Sequence, residues 1–281
     1  MNTKPDTYQI VTDRIIAKLE AGTVPWKHFA SSPLAEPKNF ASKKAYRGIN
    51  HFLLSGEHST PYWLTFKQAI DEGGNVRKGE KSTPIVFWKF NKYEDKATGE
   101  TKEIPMLRHY AVFNLDQTEG IEFETVGEQK RDTDPIAAAE TIVDGMPNRP
   151  RLVIDKQPKA YYSPAADFVH MTERSACVSD SAYYDTLFHE LTHSTGHKSR
   201  LNRMDGDTCW ERFGSKPYAN EELVAEMGAA MLCAHCDLFQ ETLDNSAAYI
   251  ANWLTKLAND KHLVIHAAGK AQKSSDYILG I

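Results

Sequence analysis

The stretch from His189 to His193, which reads His-Glu-Leu-Thr-His, constrains this chain more than any other feature. A spacing of four residues puts the two histidines one turn apart on the same face of a helix, where both imidazoles can reach one ion about 2 Å away. Leu187, Phe188 and Leu191 lie on the opposite face and can bury the helix. The segment therefore predicts a buried helix with two metal ligands, and the simpler alternative is a core helix with two incidental histidines.

A catalytic metal site needs a third protein ligand and an open position for water. The pattern HExxHxxGxxH would place that ligand at Ser199, and His197 stands close to that position. Glu222 is the better candidate, because Glu226 follows it by one helical turn and a metal-bound histidine generally donates its other ring N–H to a carboxylate. We predict Glu222 as the third ligand and Glu226 as the acceptor that orients a histidine; the reverse assignment is the alternative.

Two imidazoles and one carboxylate make zinc the first choice of metal, with manganese, cobalt or nickel as possible substitutes. The predicted chemistry is hydrolysis of a peptide bond, in which Glu190 takes a proton from water and passes it to the leaving amine. The segment Cys233-Ala-His-Cys236 has no second CxxC partner, and we interpret it as ordinary helix. The pair His262 and His266 is interpreted as a surface pair.

Length and composition indicate the number of domains and the class of protein. A chain of 281 residues predicts two domains, and 41% hydrophobic with 25% charged residues is typical of a globular protein. No run of 18 or more apolar residues occurs, and the first residues lack a signal-peptide pattern, so we expect a cytoplasmic protein without a membrane partner. Four irregularly spaced cysteines predict reduced thiols.

The pattern along the chain predicts an α+β protein whose first domain is mixed and whose second is mainly helical. In the first domain we expect a helix over 6–21, a helix capped by Thr65 and Gln68, and a hairpin of strands 84–92 and 105–114 around a turn at 95–99. Polar residues followed by Asp134-Pro135, a helix-start signal, place the boundary. The predicted domains are 1–126 and 135–281, joined by a linker over 127–134.

Charge is unevenly distributed between the two ends of the chain. Residues 1–92 carry 14 Lys and Arg against 8 Asp and Glu, whereas the remainder carries 19 against 30. A basic front with interleaved aromatics is typical of proteins that hold single strands, although aromatics in a small domain also form cores. The candidate DNA contacts are Lys43, Lys44, Tyr46, Arg47, Trp63, Lys67, Arg77, Lys78, Lys81 and Trp88.

Several strings of residues resemble one known family over nearly the whole chain. They include YRGIN at 46–50, YWLTFKQA at 62–69, RKGEK at 77–81, HELTHSTGHKSRL from 189 and YANEELVAE from 218. These strings are similar to the plasmid antirestriction proteins of the ArdC type, and related N-terminal domains occur in TraC-type conjugative primases. The resemblance implies an N-terminal domain that binds single-stranded DNA, a C-terminal zincin-like metallopeptidase domain, and protection of incoming conjugative DNA from restriction.

Three functions remain open from the sequence. The first is a DNA-bound zinc peptidase that cleaves or disables a host protein such as a restriction subunit. The second is a non-catalytic protein that coats single-stranded DNA and uses the metal only to fold its second domain. The third is a protease for DNA-protein crosslinks that single-stranded DNA would activate.

Overall fold

A computed structural model of the chain describes residues 6–28, 36–55, 58–94, 101–123, 134–203, 216–238 and 247–281. The helices and strands in this part are, in order, α1 (Thr7–Glu20), α2 (Pro25–His28), β1 (Lys38–Asn39), α3 (Ile49–Leu54), β2 (Tyr62–Leu64), α4 (Phe66–Asp71), β3 (Asn75–Val76), β4 (Thr83–Glu94), β5 (Thr101–Asn114), β6 (Thr118–Glu119), α5 (Pro135–Gly145), β7 (Arg151–Asp155), β8 (Tyr161–Ser163), β9 (Phe168–Thr172), α6 (Asp180–Ser194), α7 (Lys216–His235), α8 (Ala247–Asn259) and α9 (Leu263–Leu279). The arrangement confirms the predicted α+β class with two domains.

The first domain is built on a four-stranded sheet in the order β1-β2-β5-β4. Strands β4 and β5 form the predicted hairpin, which is longer than the sequence pattern indicated and pairs from Thr83 with Val112 to Glu94 with Thr101. The predicted turn at 95–99 lies outside the described residues. Strand β5 also pairs with β2, and a separate small sheet joins β3 to β6.

Side chains at helix ends explain where several helices begin. The Asp6 carboxylate accepts a hydrogen bond from the backbone N–H of Tyr8 at the start of α1, and Thr65 and Gln68 form the predicted capping box of α4. Helix α7 begins at Lys216, and Pro217 is tolerated there because it lies in the first helical turn.

The second domain packs helices against a three-stranded sheet in the order β7-β9-β8. Strands β7 and β9 are parallel, and β8 is antiparallel to β9. Buried residues of α5, β9, α6 and α7 form one hydrophobic cluster, which includes Val143, Met171, Leu187, Phe188 and Leu232. This cluster holds α6 between the sheet and α7.

A second large cluster crosses between the domains. It joins Val11, Ile15 and Leu19 of α1 to buried residues of α7, α8 and α9, among them Leu223 and Trp253. The two domains therefore share a continuous hydrophobic core.

The domain boundaries stay a prediction, because residues 124–133 lie outside the described part. Asp134 caps α5 as expected.

No helix within the described ranges is both long and apolar enough to cross a membrane. Within the described part of the chain, Cys177, Cys233 and Cys236 form no disulfide bond, and the latter two are buried. Cys209 lies outside the described residues.

Candidate functional site

Helix α6 presents the predicted histidines from a buried helix. The Ser179 hydroxyl accepts a hydrogen bond from the backbone N–H of Ala182 and fixes the helix start. Leu187, Phe188 and Leu191 are buried on the core side, as predicted. The helix therefore holds the imidazoles of the opposite face in place through its packing.

Helix α7 brings Glu222 to these histidines. Its two carboxylate oxygens lie 3.6 Å from His189 Nε2 and 3.5 Å from His193 Nε2, and the two Nε2 atoms are 3.1 Å apart. Among the described residues, this is the one group of three or more His, Cys, Asp or Glu side chains whose ligand atoms come close enough to share an ion. The predicted ligands thus converge, and Glu222 rather than Glu226 supplies the carboxylate.

The spacing of these groups is compatible with a divalent ion. In a tetrahedral zinc site with bonds of about 2.1 Å, neighbouring ligand atoms are about 3.4 Å apart. The two Nε2 atoms are 3.1 Å apart, and each lies 3.5 or 3.6 Å from a different oxygen of Glu222. Three candidate ligands would leave the fourth position of a tetrahedral ion open, as in the zinc sites of enzymes.

Close packing of α6 and α7 makes this convergence possible. Gly228 lies against Thr192, and a Cβ atom at residue 228 would come within 2.6 Å of the Thr192 Cγ2 atom. Such a distance is too short for carbon atoms in contact. Glycine therefore allows the helix that carries Glu222 to approach the helix that carries both histidines.

A second layer of charged groups supports His193. Glu221 Oε1 lies 3.4 Å from His193 Nδ1 and 2.6 Å from a terminal nitrogen of Arg203. The same Arg203 nitrogen donates to the Thr192 carbonyl at 2.6 Å, and its other terminal nitrogen donates to the Thr195 hydroxyl. Arg203 thereby ties Glu221 to the end of α6 and fixes the carboxylate beside the imidazole.

These contacts shift the pKa values of the cluster. Burial alone would lower the pKa of His193, but the carboxylates of Glu221 and Glu222, with the charge of Glu190, raise it to about 10. Burial would raise the pKa of Glu222, but the two imidazoles hold it well below its ordinary value. The site therefore favours positive charge between His189, His193 and Glu222, and a divalent ion supplies such charge.

Glu226 occupies a different place from the one predicted for it. Its Oε2 atom accepts a hydrogen bond from Trp26 Nε1 at 2.8 Å and another from the Tyr249 hydroxyl. The carboxylate beside His193 Nδ1 is that of Glu221, which directly precedes the ligand Glu222. Glu226 lies one helical turn further along α7 than Glu222, and at that position α7 meets α2 and α8. This position explains why Glu226 does not reach His193.

The alternative metal residues lie elsewhere. His197 follows the end of α6, where its Nδ1 atom is 2.7 Å from the Ser199 hydroxyl oxygen and 3.9 Å from Asp167. His262 and His266 pack their rings against Tyr8. Neither set joins the cluster of His189, His193 and Glu222 in the described structure.

The candidate DNA contacts fall into two groups by exposure. Trp63 is 2% exposed and packs against Leu54 and Val112, so the expectation that its ring stacks on a base is wrong. Tyr46 is half-buried and packs against the same cluster. Trp88 is 44% exposed, although its ring also contacts Tyr8. The exposed basic candidates are Lys43, Lys44, Arg47, Lys67, Arg77, Lys78 and Lys81.

Two of these arginines already have partners within the protein. Arg47 forms an ion pair with Asp276 of α9. Arg77 donates to the Thr118 carbonyl at 3.1 Å and pairs with Glu80 at 3.1 Å. Arg77 thus stabilises the first domain, whereas Arg47 links that domain to α9.

Sequence reasoning missed the pairing of Glu221 with Arg203 and, apart from Trp88, the exposed aromatic residues of the β4–β5 hairpin. Glu221 stands next to Glu222 in the sequence, and this adjacency of two acids was the available signal. For the hairpin, successive side chains of a strand point to opposite faces, and this alternation could have indicated which side chains pack and which stay exposed.

Two sequence families match the chain in the order of its domains. Residues 5–113 match the N-terminal domain of anti-restriction factor ArdC. Residues 138–270 match the zincin-like metallopeptidase family. The metal cluster and its supporting residues all lie inside the second range.

Crystal structures of the antirestriction protein ArdC from plasmid R388 share this fold. The metal-free structure is 41% identical, with a TM-score of 0.76, and the match covers 98% of this chain and 97% of that one. This chain belongs to the ArdC antirestriction family. The Mn(II)-bound structure of the same relative is 40% identical, with a TM-score of 0.74 and 98% coverage of both chains.

Other relatives extend the ArdC family comparison. The uncharacterized protein y4eC of Sinorhizobium fredii is 37% identical over 98% of this chain and 92% of its own length. A DNA primase TraC of Escherichia coli is 31% identical over 98% of this chain, which spans only 27% of that primase. ArdC-type sequences thus occur both alone and within much longer proteins.

Proposed function

We propose that this protein is a zinc-dependent metallopeptidase that binds single-stranded DNA and protects incoming conjugative plasmid DNA from host restriction in the cytoplasm. The observation that carries the enzymatic part is the convergence of His189, His193 and Glu222 in a zincin-like domain. The Mn(II)-bound ArdC relative supports a divalent ion. Zinc is the first choice for this ligand set, and Mn(II) or Co(II) can substitute.

The residues of this site have separate parts in peptide hydrolysis. His189, His193 and Glu222 would hold the ion, which when bound supplies a Lewis acid that polarises the peptide carbonyl. Glu190 is 8% exposed on the same helix, and its carboxylate accepts the proton of the attacking water and returns it to the leaving amine. Glu221, held by Arg203, keeps the His193 ring oriented.

The DNA-binding part of the proposal rests on charge and on family membership. The front of the chain is basic, with exposed cations that can track phosphates. The match to the ArdC N-terminal domain and the similarity to TraC primases support a nucleic-acid ligand. A host restriction protein is the proposed target of the peptidase.

Two substitutions separate catalysis from metal binding. We expect Glu190→Gln to keep its metal content and lose proteolysis, because an amide cannot accept the proton. His189→Ala should lose both. The measurements are metal analysis of the purified protein, cleavage of restriction-enzyme subunits with and without single-stranded DNA, and survival of unmodified plasmid DNA during conjugation.

The same variants test the alternative functions. Full antirestriction by Glu190→Gln would contradict the peptidase mechanism and favour a protein that coats single-stranded DNA with a structural metal. Cleavage that requires single-stranded DNA and extends to any DNA-crosslinked protein would favour the crosslink protease.

A further inference from the structure

The fold covers the β4–β5 hairpin further along one face than along the other, although Trp88 (44% exposed) and Phe90 (60% exposed) also lie on the more covered face. Successive side chains of a strand point to opposite faces. On the covered face, Val86 and Leu107 are buried in the core that contains α1, and His109 Nδ1 lies 3.1 Å from the Thr7 hydroxyl oxygen. The opposite face, here called the open face, comprises Phe87, Lys89, Tyr93, Met106, Arg108 and Tyr110.

Aromatic rings on the open face are arranged for stacking. Phe87 and Tyr110 lie with ring centroids 4.6 Å apart and planes inclined by 5°. Tyr110 on β5 nevertheless remains 57% exposed, and Tyr93, near the end of β4, is 55% exposed. Large apolar side chains left exposed together on a folded protein mark an interaction surface.

The charges on the open face identify the kind of partner. Arg108 is the register partner of Phe87, and Lys89 is the register partner of Met106, so cations alternate with apolar side chains across the ribbon. Both cations are exposed, and neither forms an ion pair within the described part of the chain. The acidic side chain Glu103 lies on the covered-face side, opposite Lys92. A surface of rings and unpaired cations is complementary to a polyanion with exposed aromatic groups.

The inner end of the same face shows why the remainder is available. There Ile85 packs against the small hydrophobic cluster that contains Trp63 and Val112. Tyr110, the register partner of Ile85, stays 57% exposed, and from Phe87 outward the face continues without such cover. The fold thus uses the inner part of the hairpin for packing and leaves the outer part to a ligand.

We propose that the open face of the hairpin is the surface on which single-stranded DNA lies, with bases stacked on Tyr110 and Tyr93 and phosphates paired with Lys89 and Arg108. This inference rests on the proposed DNA-binding function and gives it a location. Single strands are preferred to duplexes, because the faces of duplex bases are already stacked on one another and cannot receive an aromatic ring.

The test uses the full chain and a fluorescein-labelled oligothymidylate of about 20 nucleotides, which exceeds the site size of a small domain. Fluorescence anisotropy in a salt series gives the affinity and its salt dependence. The double variant Lys89→Glu/Arg108→Glu should bind at least about tenfold more weakly, with a salt slope reduced by about two. Tyr110→Ala should lose about tenfold in affinity with an unchanged slope, and Tyr110→Phe should keep wild-type affinity.

The matched control is Lys92→Glu, which reverses a charge on the same hairpin but on the opposite face. It should weaken binding far less than Lys89→Glu alone. Equal loss in both charge reversals, or wild-type affinity in Tyr110→Ala, would overturn the assignment while leaving DNA binding intact. A wild-type protein that fails to bind the oligonucleotide would overturn the proposed DNA-binding function itself. Normal DNA binding with lost antirestriction in the open-face variants would assign this face to a protein partner instead, and the proposal would be wrong.

Discussion

The metal cluster and the open face of the hairpin are built in opposite ways. The cluster joins side chains from two helices, and Glu221 and Arg203 support it from behind. The open face belongs to a ribbon of two strands, where Phe87 and Tyr110 stack on one another. A site for one ion therefore depends on where two helices pack, whereas a surface for a polymer depends on which side chains one face exposes. Substitutions in the metal cluster should disturb the geometry of the ligands. Substitutions on the open face should change only the affinity for DNA.

The largest effect should come from removing a ligand. His193→Ala should lower the metal content from about one ion per chain to nearly none, because two remaining protein ligands hold zinc poorly. Metal analysis after dialysis measures this. His266→Ala removes a histidine from the other pair with the same spacing, and we expect it to keep a full complement of metal. Equal loss in both variants would show that the metal is not bound at the α6–α7 cluster.

The supporting layer should have the next largest effect. Glu221→Gln should weaken metal affinity by about 10- to 100-fold, since it removes the negative charge beside His193 Nδ1. Competition with a fluorescent chelator measures the affinity. Glu226→Gln is the control one turn along the helix, and it should lower stability more than metal affinity, because its partners are Trp26 and Tyr249. The opposite ranking would restore the assignment of Glu226 predicted from sequence.

Helix packing should respond to a single methyl group. Gly228→Ala should destabilise the protein by about 1–3 kcal/mol, because the new Cβ would overlap the Thr192 side chain. Gly269→Ala on α9, where a Cβ meets nothing within 4 Å, should stabilise by up to about 1 kcal/mol. Urea unfolding measures both. Thr192→Ala in the Gly228→Ala background should recover part of the lost stability. If stability does not recover, the added methyl group acts through a contact other than Thr192.

The smallest effect on stability should come from the open face. Tyr110→Ala should change the free energy of unfolding by no more than about 0.5 kcal/mol, since the side chain is mostly exposed. Leu107→Ala, on the same strand but pointing into the shared core, should cost about 2–5 kcal/mol. Thermal unfolding distinguishes them. Similar losses in the two variants would mean that the open face is part of the core.

Local signals in the sequence were enough to predict the metal helix and most elements near it. The spacing of His189 and His193, the Thr65 and Gln68 capping box and the hairpin alternation each depend on residues close in the chain. The assignments that failed depend on tertiary packing. Whether Trp63 faces solvent or core is decided by which elements cover the sheet.

The choice between neighbouring acids on α7 shows the same limit. Glu221, Glu222 and Glu226 are all acids on one helix, and helical periodicity alone allows more than one pairing with α6. The rotation of α7 about its axis decides the pairing, and Gly228 against Thr192 sets that rotation by allowing close contact at one position. Such a contact between distant residues leaves no periodic signal in the sequence.

The core shared by α1 and the last two helices has a consequence for biosynthesis. Thr12 donates to the Lys261 carbonyl at 2.8 Å, and Lys261 pairs with Asp6 at 2.5 Å, so α1 completes its packing only after residues 247–279 have been synthesised. Until then part of its apolar stripe stays exposed to water. The core that joins the two domains therefore closes late during synthesis.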